Sequence, residues 1–213
     1  MNGLGGKERL CTSPHGFAGR IESVRIGVAV LVGGRSERMF GVEKPLMRVR
    51  GLTLVERLLR ALKRFAITVI AVANPLNASA YEDLGLFDCV LIDRLCIGPL
   101  SGVLEALRLL NEVLVVGGDT VVLDAAPIER LIDECMHRDV DVCCFGFRGF
   151  IEPLPAIYRA TFVETAQRML VRGVYSLQRA IRSSRALVME LSELPWRDVD
   201  TFSDLAELEK ALL

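Results

Sequence analysis

Apolar runs of strand length alternate with segments of helical periodicity along most of the chain. The first run, 25–32 (RIGVAVLV), has the length and composition of a buried strand. In the segment 53–64, leucine and valine recur every three or four positions behind Thr53, a residue type that often caps helices. The two segments therefore predict the strand and the helix of one β-loop-α unit.

The same alternation continues to the end of the sequence. Strands are predicted at 67–73, 88–92, 112–116, 140–145 and 186–190, and helices at 101–110 (with Ser101 as N-cap), 127–137, 161–171 and 203–212. The half after Phe147 is expected to be more irregular. This order indicates an α/β protein with a single doubly wound, mostly parallel, Rossmann-like sheet, which binds ligands at the carboxyl ends of its strands. The predicted site lies in the loops that follow four strand ends: Val32, Ala73, Ile92 and Val116.

Composition limits the size of the fold and the kind of partner. The 213 residues suit one compact domain. Residues 1–22 contain glycines, a proline and no periodicity, so we expect a flexible N-terminal extension before a domain over 23–213. With 26 basic and 27 acidic residues, the formal charge of −1 gives no overall attraction to nucleic acid or to an anionic membrane. An anionic ligand must therefore be bound by a local group of charges.

Hydropathy and cysteine usage exclude further classes. No apolar stretch reaches the roughly 18 residues needed to span a bilayer, and without a signal peptide the expected compartment is the cytoplasm. The six cysteines form no CxxC pair and accompany only two histidines, so the spacing of a zinc site is absent. Disulfides are rare in the cytosol except in some hyperthermophiles. Three cysteines within apolar runs are therefore predicted to be small buried side chains: Cys89, Cys143 and Cys144.

A glycine pair directly follows the first predicted strand, in the segment 31–46 (LVGGRSERMFGVEKPL). Gly33 and Gly34 allow backbone N–H groups to approach a phosphate or a base closely. Arg38 and Lys44 supply positive charge for an anion at the same place. The segment has neither a GxxxxGK[ST] nor a GxGxxG motif, so it is neither a P-loop nor an ordinary dinucleotide-binding turn.

This segment resembles the nucleotidyltransferase loop of the molybdenum cofactor guanylyltransferase family, whose pattern is roughly LAGGxSxRMGxxxKxL. Further similarities follow in the family's order and extend the resemblance over about residues 24–213: Asn74, Asp93, 98–102 (GPLSG), 118–120 (GDT), 152–158 (EPLPAIY) and 198–205 (DVDTFSDL). The chain departs from the family pattern at five positions, where the family has Gly, Cys, Pro, Asn and Asn: Phe40, Gly118, Val121, Asp198 and Asp200. The two additional aspartates place negative charge where pyrophosphate or Mg²⁺ would lie.

The resemblance implies a nucleotidyltransferase fold and a reaction in which GMP passes from GTP to molybdopterin, with release of pyrophosphate and Mg²⁺ as cofactor. It implies that the catalytic residues are Arg38, Lys44 and Asp119, with Arg38 on the β and γ phosphates. Asp119 would coordinate the metal, with Asp200 as a second contact. The nucleotide-binding residues would be Leu31, Val32, Gly33, Gly34, Lys44, Asn74, Asp93 and Asp119, with Asp93 accepting two N–H bonds from guanine.

Several alternatives remain open at the level of sequence. The base could be cytosine, and the acceptor could be cobinamide phosphate or a sugar phosphate, although the 152–158 and 198–205 segments favour molybdopterin over cobinamide. A nucleotide-binding module without turnover is a further alternative, against which Arg38, Lys44 and Asp119 together argue, because binding alone needs no metal-binding acid. The family's labile product also implies transient contact with molybdoenzymes or cofactor-synthesis proteins.

Overall fold

A computed structural model describes residues 25–34 and 43–211 of the chain. The predicted extension 1–22 lies outside these residues. The strands are β1 (Ile26–Leu31), β2 (Arg48–Val49), β3 (Leu52–Thr53), β4 (Ala66–Ala73), β5 (Cys89–Ile92), β6 (Glu112–Gly117), β7 (Thr120–Val122), β8 (Val142–Phe147), β9 (Phe150–Arg159), β10 (Ala186–Leu191) and β11 (Trp196–Asp198). The helices are α1 (Leu54–Leu62), α2 (Ala78–Asp83), α3 (Pro99–Leu109), α4 (Ala126–Met136), α5 (Phe162–Val171), α6 (Leu177–Arg182) and α7 (Phe202–Ala211), and a 3₁₀ turn covers Lys44–Leu46.

A seven-stranded sheet in the order β10-β8-β9-β6-β1-β4-β5 forms the centre of the molecule. Within it, β9 runs antiparallel to both of its neighbours and the remaining pairs are parallel. The chain proceeds from β1 through β4 to β5 and then crosses back to β6 on the other side of β1. Such a reversal opens a crevice at the carboxyl end of β1. The predicted doubly wound, mostly parallel sheet is therefore confirmed. Its topology places a crevice at the carboxyl ends of the strands, where the site was predicted.

Both faces of the sheet are covered by helices, which explains why the central strands are apolar without alternation. In β1, the side chains of Val28, Ala29 and Val30 are fully buried. Residues from α1, α2 and α4 pack with one face of the sheet, and residues from α3, α5 and α6 pack with the other. Among the described residues, no helix has the length and apolar character needed to cross a membrane.

Two helix N-caps were predicted from the sequence, and only one is confirmed. The Thr53 hydroxyl oxygen accepts a hydrogen bond from the backbone N–H of Glu56 at 3.1 Å, and the Glu56 carboxylate accepts from the Thr53 N–H at 2.6 Å. This reciprocal capping box starts α1, as predicted. Helix α3, however, has Gly98 as its N-cap and Pro99 in its first turn. Ser101 is therefore not a cap, and its hydroxyl donates to Asp93 at 2.6 Å instead.

The second half of the chain is more regular than predicted. Strands β9 and β11 and helix α6 were missed, and β8 extends to Phe147, beyond the predicted end. Pro153 and Pro155 lie inside β9, and proline normally argues against an inner strand because it has no N–H for the ladder. Residues 153–155 pair with neither β6 nor β8, so the prolines fall where this ladder is interrupted. Composition alone could not reveal that interruption.

A disulfide bond joins α4 to β8 through Cys135 and Cys143. The prediction for Cys143 was correct in its burial, but its sulfur is bonded rather than free. Cys144 is a buried free thiol, as predicted, whereas Cys89 is only half-buried. The bond links the helix layer to the sheet on the face that also carries α1.

Candidate active site

An open cavity of about 500 Å³ lies at the carboxyl ends of the central strands. Its size is within the range typical of small-molecule sites. Five of the residues predicted to bind a nucleotide line it: Leu31, Gly33, Gly34, Asp93 and Asp119. The loops after β1, β5 and β6 thus meet in one cavity, as the parallel sheet requires.

The glycine pair after β1 is held by the turn that follows β4. The Asn74 side-chain amide donates to the carbonyl of Gly33 at 3.1 Å. A Cβ on Gly33 would lie 3.2 Å from the backbone nitrogen of Asn74, so only glycine allows the two segments to approach this closely without displacement. Asn74 therefore fixes the orientation of the glycine turn through its bond to Gly33.

Asp93 organises the loop between β5 and α3. One carboxylate oxygen accepts from the backbone N–H groups of Leu95 and Cys96, and the other accepts from the Ser101 hydroxyl. Two carboxylate oxygens offer about four acceptor positions, and three are used here. In this conformation Asp93 has room for one further donor from a base, rather than for the two N–H bonds that the sequence interpretation assigned to it.

Lys44 is the positive centre of the described site. Its side chain is 11% exposed, and its ammonium nitrogen lies 2.8 Å from an Asp200 carboxylate oxygen and 3.6 Å from one of Asp119. Burial of an ammonium group is costly unless carboxylates compensate its charge. Three of the four residues predicted to act at the phosphates or the metal are therefore brought together.

The two aspartates reach Lys44 from distant parts of the chain. Asp119 follows the end of β6, and its carbonyl accepts from the backbone N–H of Val199 at 3.0 Å. The antiparallel pairing of β7 with β11 places residue 198 opposite Thr120, whose hydroxyl donates to Asp198 at 2.6 Å. Asp200 comes two residues after Asp198 and thereby arrives beside Lys44.

The surroundings of Asp119 shift the pKa of its carboxyl group. Desolvation by burial raises the pKa of this carboxyl above its usual value, the positive charge of Lys44 lowers the pKa, and the nearby Asp200 raises it again. The net direction is upward, so the ionised carboxylate of Asp119 is disfavoured in the protein alone. A divalent cation would relieve that cost by pairing with the charge.

The chemistry of Asp119 and Asp200 fits a hard divalent cation, which prefers carboxylate and phosphate oxygens. Within 25–34 and 43–211, no group of three or more His, Cys, Asp or Glu side chains is arranged to hold a metal ion. Two protein carboxylates would therefore have to be completed by phosphate oxygens or water. Such incomplete protein coordination is usual where Mg²⁺ is bound together with a nucleotide.

One predicted site residue, Val32, is buried in the core, and two further positions are not described. Arg38 and the departure at Phe40 lie outside the described residues. Val32 is 2% exposed, and its side chain packs in the core. Its carbonyl accepts from the side chain of Asn77, a residue that the sequence did not single out. The signal for Asn77 is weak, since a polar residue in a turn before a helix is commonplace.

Gly118, one of the expected departures from the family pattern, is tightly enclosed. A Cβ at this position would lie 2.8 Å from Val32 Cγ1, 2.9 Å from Pro45 Cγ and 3.2 Å from the carbonyl oxygen of Leu31. The Gly118 N–H donates to that same carbonyl at 2.9 Å. In this chain the absence of a side chain lets the end of β6 pack directly against the 3₁₀ turn that carries Lys44.

Comparison with protein families and solved structures gives concordant matches. A family model described as the MobA-like NTP transferase domain matches residues 28–188. A protein of Thermococcus sibiricus named "Probable molybdenum cofactor guanylyltransferase" is 33% identical over 198 residues, covering 88% of this chain and 98% of that protein. A protein of the same name from Thermococcus gammatolerans is 37% identical over 193 residues, covering 85% and 98%.

The fold is also similar to that of a solved structure, the molybdopterin-guanine dinucleotide biosynthesis protein A of Archaeoglobus fulgidus. The TM-score is 0.74 at 21% identity, and the match covers 88% of this chain and 98% of that one. At this identity the likeness shows the shared fold, which agrees with the sheet order described above.

Gly118→Ala is expected to lower the free energy of unfolding by about 1–3 kcal/mol, the usual cost of overpacking. The methyl group would force apart Val32 and Pro45, both within 3 Å of it. Gly34→Ala is the matched control, because a Cβ there meets nothing within 4 Å. Urea denaturation of both variants measures the effect, and an equal change in the two would contradict the close packing inferred at Gly118.

Asp119→Asn is expected to weaken the dependence of stability on pH between acidic and neutral metal-free solution. Because the folded-state pKa of Asp119 lies above its ordinary value of 3.8, the ionised carboxylate costs stability at every pH above the raised pKa. That cost disappears as the pH falls through the raised pKa toward the ordinary one. The stability of the parent relative to the variant in urea denaturation should therefore increase on acidification, and a difference that does not change with pH would show the inferred shift to be wrong.

Proposed function

Because the chain belongs to the family of MobA-like NTP transferases, we propose that it transfers GMP from GTP to molybdopterin, releasing pyrophosphate and forming molybdopterin guanine dinucleotide. The family resemblance inferred from the glycine loop is confirmed by this membership. The observation that supports the reaction most strongly is the name shared by relatives 33–37% identical along almost their whole length. The cluster of Lys44, Asp119 and Asp200 beside a glycine-lined cavity supplies the charges that such a reaction needs.

The nucleotide would occupy the cavity between the glycine turn and the start of α3. Leu31, Gly33 and Gly34 line it, and their backbone groups would hold the base and sugar. Asp93 also lines the cavity and would accept one N–H of guanine, since its other acceptor positions hold the loop after β5. Base selection thus depends on a few contacts in this arrangement.

In the proposed reaction a phosphate oxygen of the acceptor attacks the α-phosphorus of GTP. A bond forms between these atoms, the bond from the α-phosphorus to the bridging oxygen breaks, and pyrophosphate leaves with the electron pair. Both reactants are anions, so the protein contributes mainly positioning and charge neutralisation. Lys44 would bridge the phosphates near the reacting centre, and Arg38 would stabilise the departing pyrophosphate.

Enzymes of this family generally use a divalent metal, and we propose Mg²⁺, with Asp119 and Asp200 as its protein ligands. The bound ion would supply neutralisation of phosphate charge. Lys44 would then be released in part from the two aspartates and become available to the phosphates. We also propose that the product passes to molybdoenzymes or cofactor-synthesis proteins through transient contacts.

Purified protein with Mg²⁺, GTP and molybdopterin is expected to release pyrophosphate and to form the guanine dinucleotide. Lys44→Ala and Asp119→Ala should each lower the rate at least 100-fold, because each removes a charge at the phosphates. Pyrophosphate release and chromatography of the product measure the effect. Undiminished activity in either variant would contradict the role assigned to the substituted residue. Turnover only with cobinamide phosphate or a sugar phosphate would show that molybdopterin is not the acceptor.

Thermal unfolding in the presence of nucleotides tests the donor and the metal without turnover. With Mg²⁺, GTP at 100 times its dissociation constant should stabilise the folded chain by about 2.7 kcal/mol. CTP at the same concentration should stabilise it less, and EDTA should reduce the GTP effect. Equal stabilisation by CTP would overturn the base assignment, and a GTP effect insensitive to EDTA would overturn the metal assignment.

A further inference from the structure

Asn77 connects three segments of the candidate active site. Its side-chain nitrogen donates to the carbonyl of Val32 at 2.8 Å and to the Glu43 carboxylate at 3.0 Å. Its side-chain oxygen accepts from the backbone N–H of Asn74 at 2.9 Å. Both amide hydrogens are thus used, one on the residue after β1 and one on the residue before Lys44. The Asn77 residue is 5% exposed, so water hardly competes for these bonds.

Glu43 is held from a second side by Tyr81. The phenol donates to the same Glu43 oxygen at 3.1 Å. Tyr81 is fully buried, and desolvation together with the charge of Glu43 raises the pKa of its phenol far above the usual value. The phenol therefore remains a neutral donor in the whole working pH range. Two donors from the α2 region, Asn77 and Tyr81, fix one carboxylate oxygen of Glu43.

The position of Glu43 determines the backbone position of Lys44, the next residue. Glu43 is the N-cap of the 3₁₀ turn, and its own side chain does not cap that turn. Its carboxylate instead points back to Asn77 and Tyr81, while the next residue sends its ammonium group to Asp119 and Asp200. The hydrogen bonds at Glu43 therefore set the direction from which the Lys44 side chain enters the site.

We propose that Asn77 is a positioning residue for nucleotidyl transfer, which fixes Lys44 relative to the backbone after β1 through its two simultaneous hydrogen bonds to Val32 and Glu43. The proposal rests on the proposed function for the role of Lys44. Val32 precedes the glycine pair that would hold the base and sugar, and Lys44 would contact the phosphates of the same nucleotide. Asn77 thus sets the distance between the two ends of the GTP site. Misplacement of about 1 Å at such a site can cost about 100-fold in rate.

The test exchanges the hydrogen-bond donor at residue 77 and the acceptor at residue 43. Asn77→Asp keeps the size of the side chain but removes both donated bonds and places a carboxylate against Glu43. We expect kcat/KM for GTP to fall 10- to 100-fold. In the double variant Asn77→Asp with Glu43→Gln, the glutamine amide donates to the new aspartate, and the total charge equals that of the parent. The double variant should recover a large part of the loss, although the bond to Val32 remains absent.

Asn111→Asp is the matched control, because Asn111 is exposed and directly precedes the amino end of β6, whereas the site lies at the carboxyl ends of the strands. It introduces the same charge and should leave kcat/KM within twofold of the parent. Tyr81→Phe removes a single bond to Glu43 and should give a smaller loss than Asn77→Asp. If Asn77→Asp does not fold, the Tyr81→Phe variant keeps the proposal testable, and an unchanged kcat/KM in it would overturn the role of the Glu43 contacts.

Two further outcomes would overturn the proposal: full activity of a folded Asn77→Asp, or a folded double variant no more active than the single one. A merely structural role would lower the melting temperature of the variants without this pattern of recovery in kcat/KM. Calorimetric measurement of GTP binding with Mg²⁺ distinguishes failure of this proposal from failure of the proposed function. If the parent binds GTP but transfers nothing, the reaction assignment fails, and the loss and recovery of GTP affinity in the same variants still test Asn77.

Discussion

The buried ammonium group of Lys44 determines how the candidate active site is assembled at the carboxyl ends of the central strands. A cation that is almost excluded from water must have carboxylate partners, and here both come from elsewhere in the chain. Asp119 is delivered by the end of β6, and Asp200 by the segment after β11. Satisfying Lys44 therefore brings together the 3₁₀ turn, the central sheet and the C-terminal segment, and the small β7–β11 sheet fixes their alignment.

Close packing around Lys44 has the same origin. The 3₁₀ turn has to lie against the carboxyl ends of β1 and β6 for the ammonium to reach Asp119. Gly118 permits that approach because a side chain there would meet Val32 and Pro45. On the other side of the turn, Asn77 and Tyr81 hold Glu43. Lys44 is thus fixed through its own charge and through the residue before it.

The parallel core could be predicted from sequence because strands buried on both faces are continuous apolar runs, and Thr53 with Glu56 is a local signal for a helix start. Strand β9 could not be predicted, since its two prolines are tolerated only through an interruption of the ladder that depends on β6 and β8. The glycine pair, Lys44 and the aspartates were recognisable as an ordered pattern. Asn77 was not, because its importance comes from contacts with residues distant in the sequence.

Charge balance gives the departures from the family pattern a physical meaning. One ammonium group faces Asp119 and Asp200, with Asp198 close by, so the ionised cluster carries an excess of negative charge. A free nucleoside triphosphate would be repelled by that excess, whereas its complex with a divalent cation presents the cation to the carboxylates. If the proposed function holds, aspartate where the family pattern predicts asparagine would strengthen the attraction for the metal complex at the expense of the free nucleotide. The near-neutral net charge of the chain is compatible with this local imbalance, because recognition depends on a few groups within one cavity.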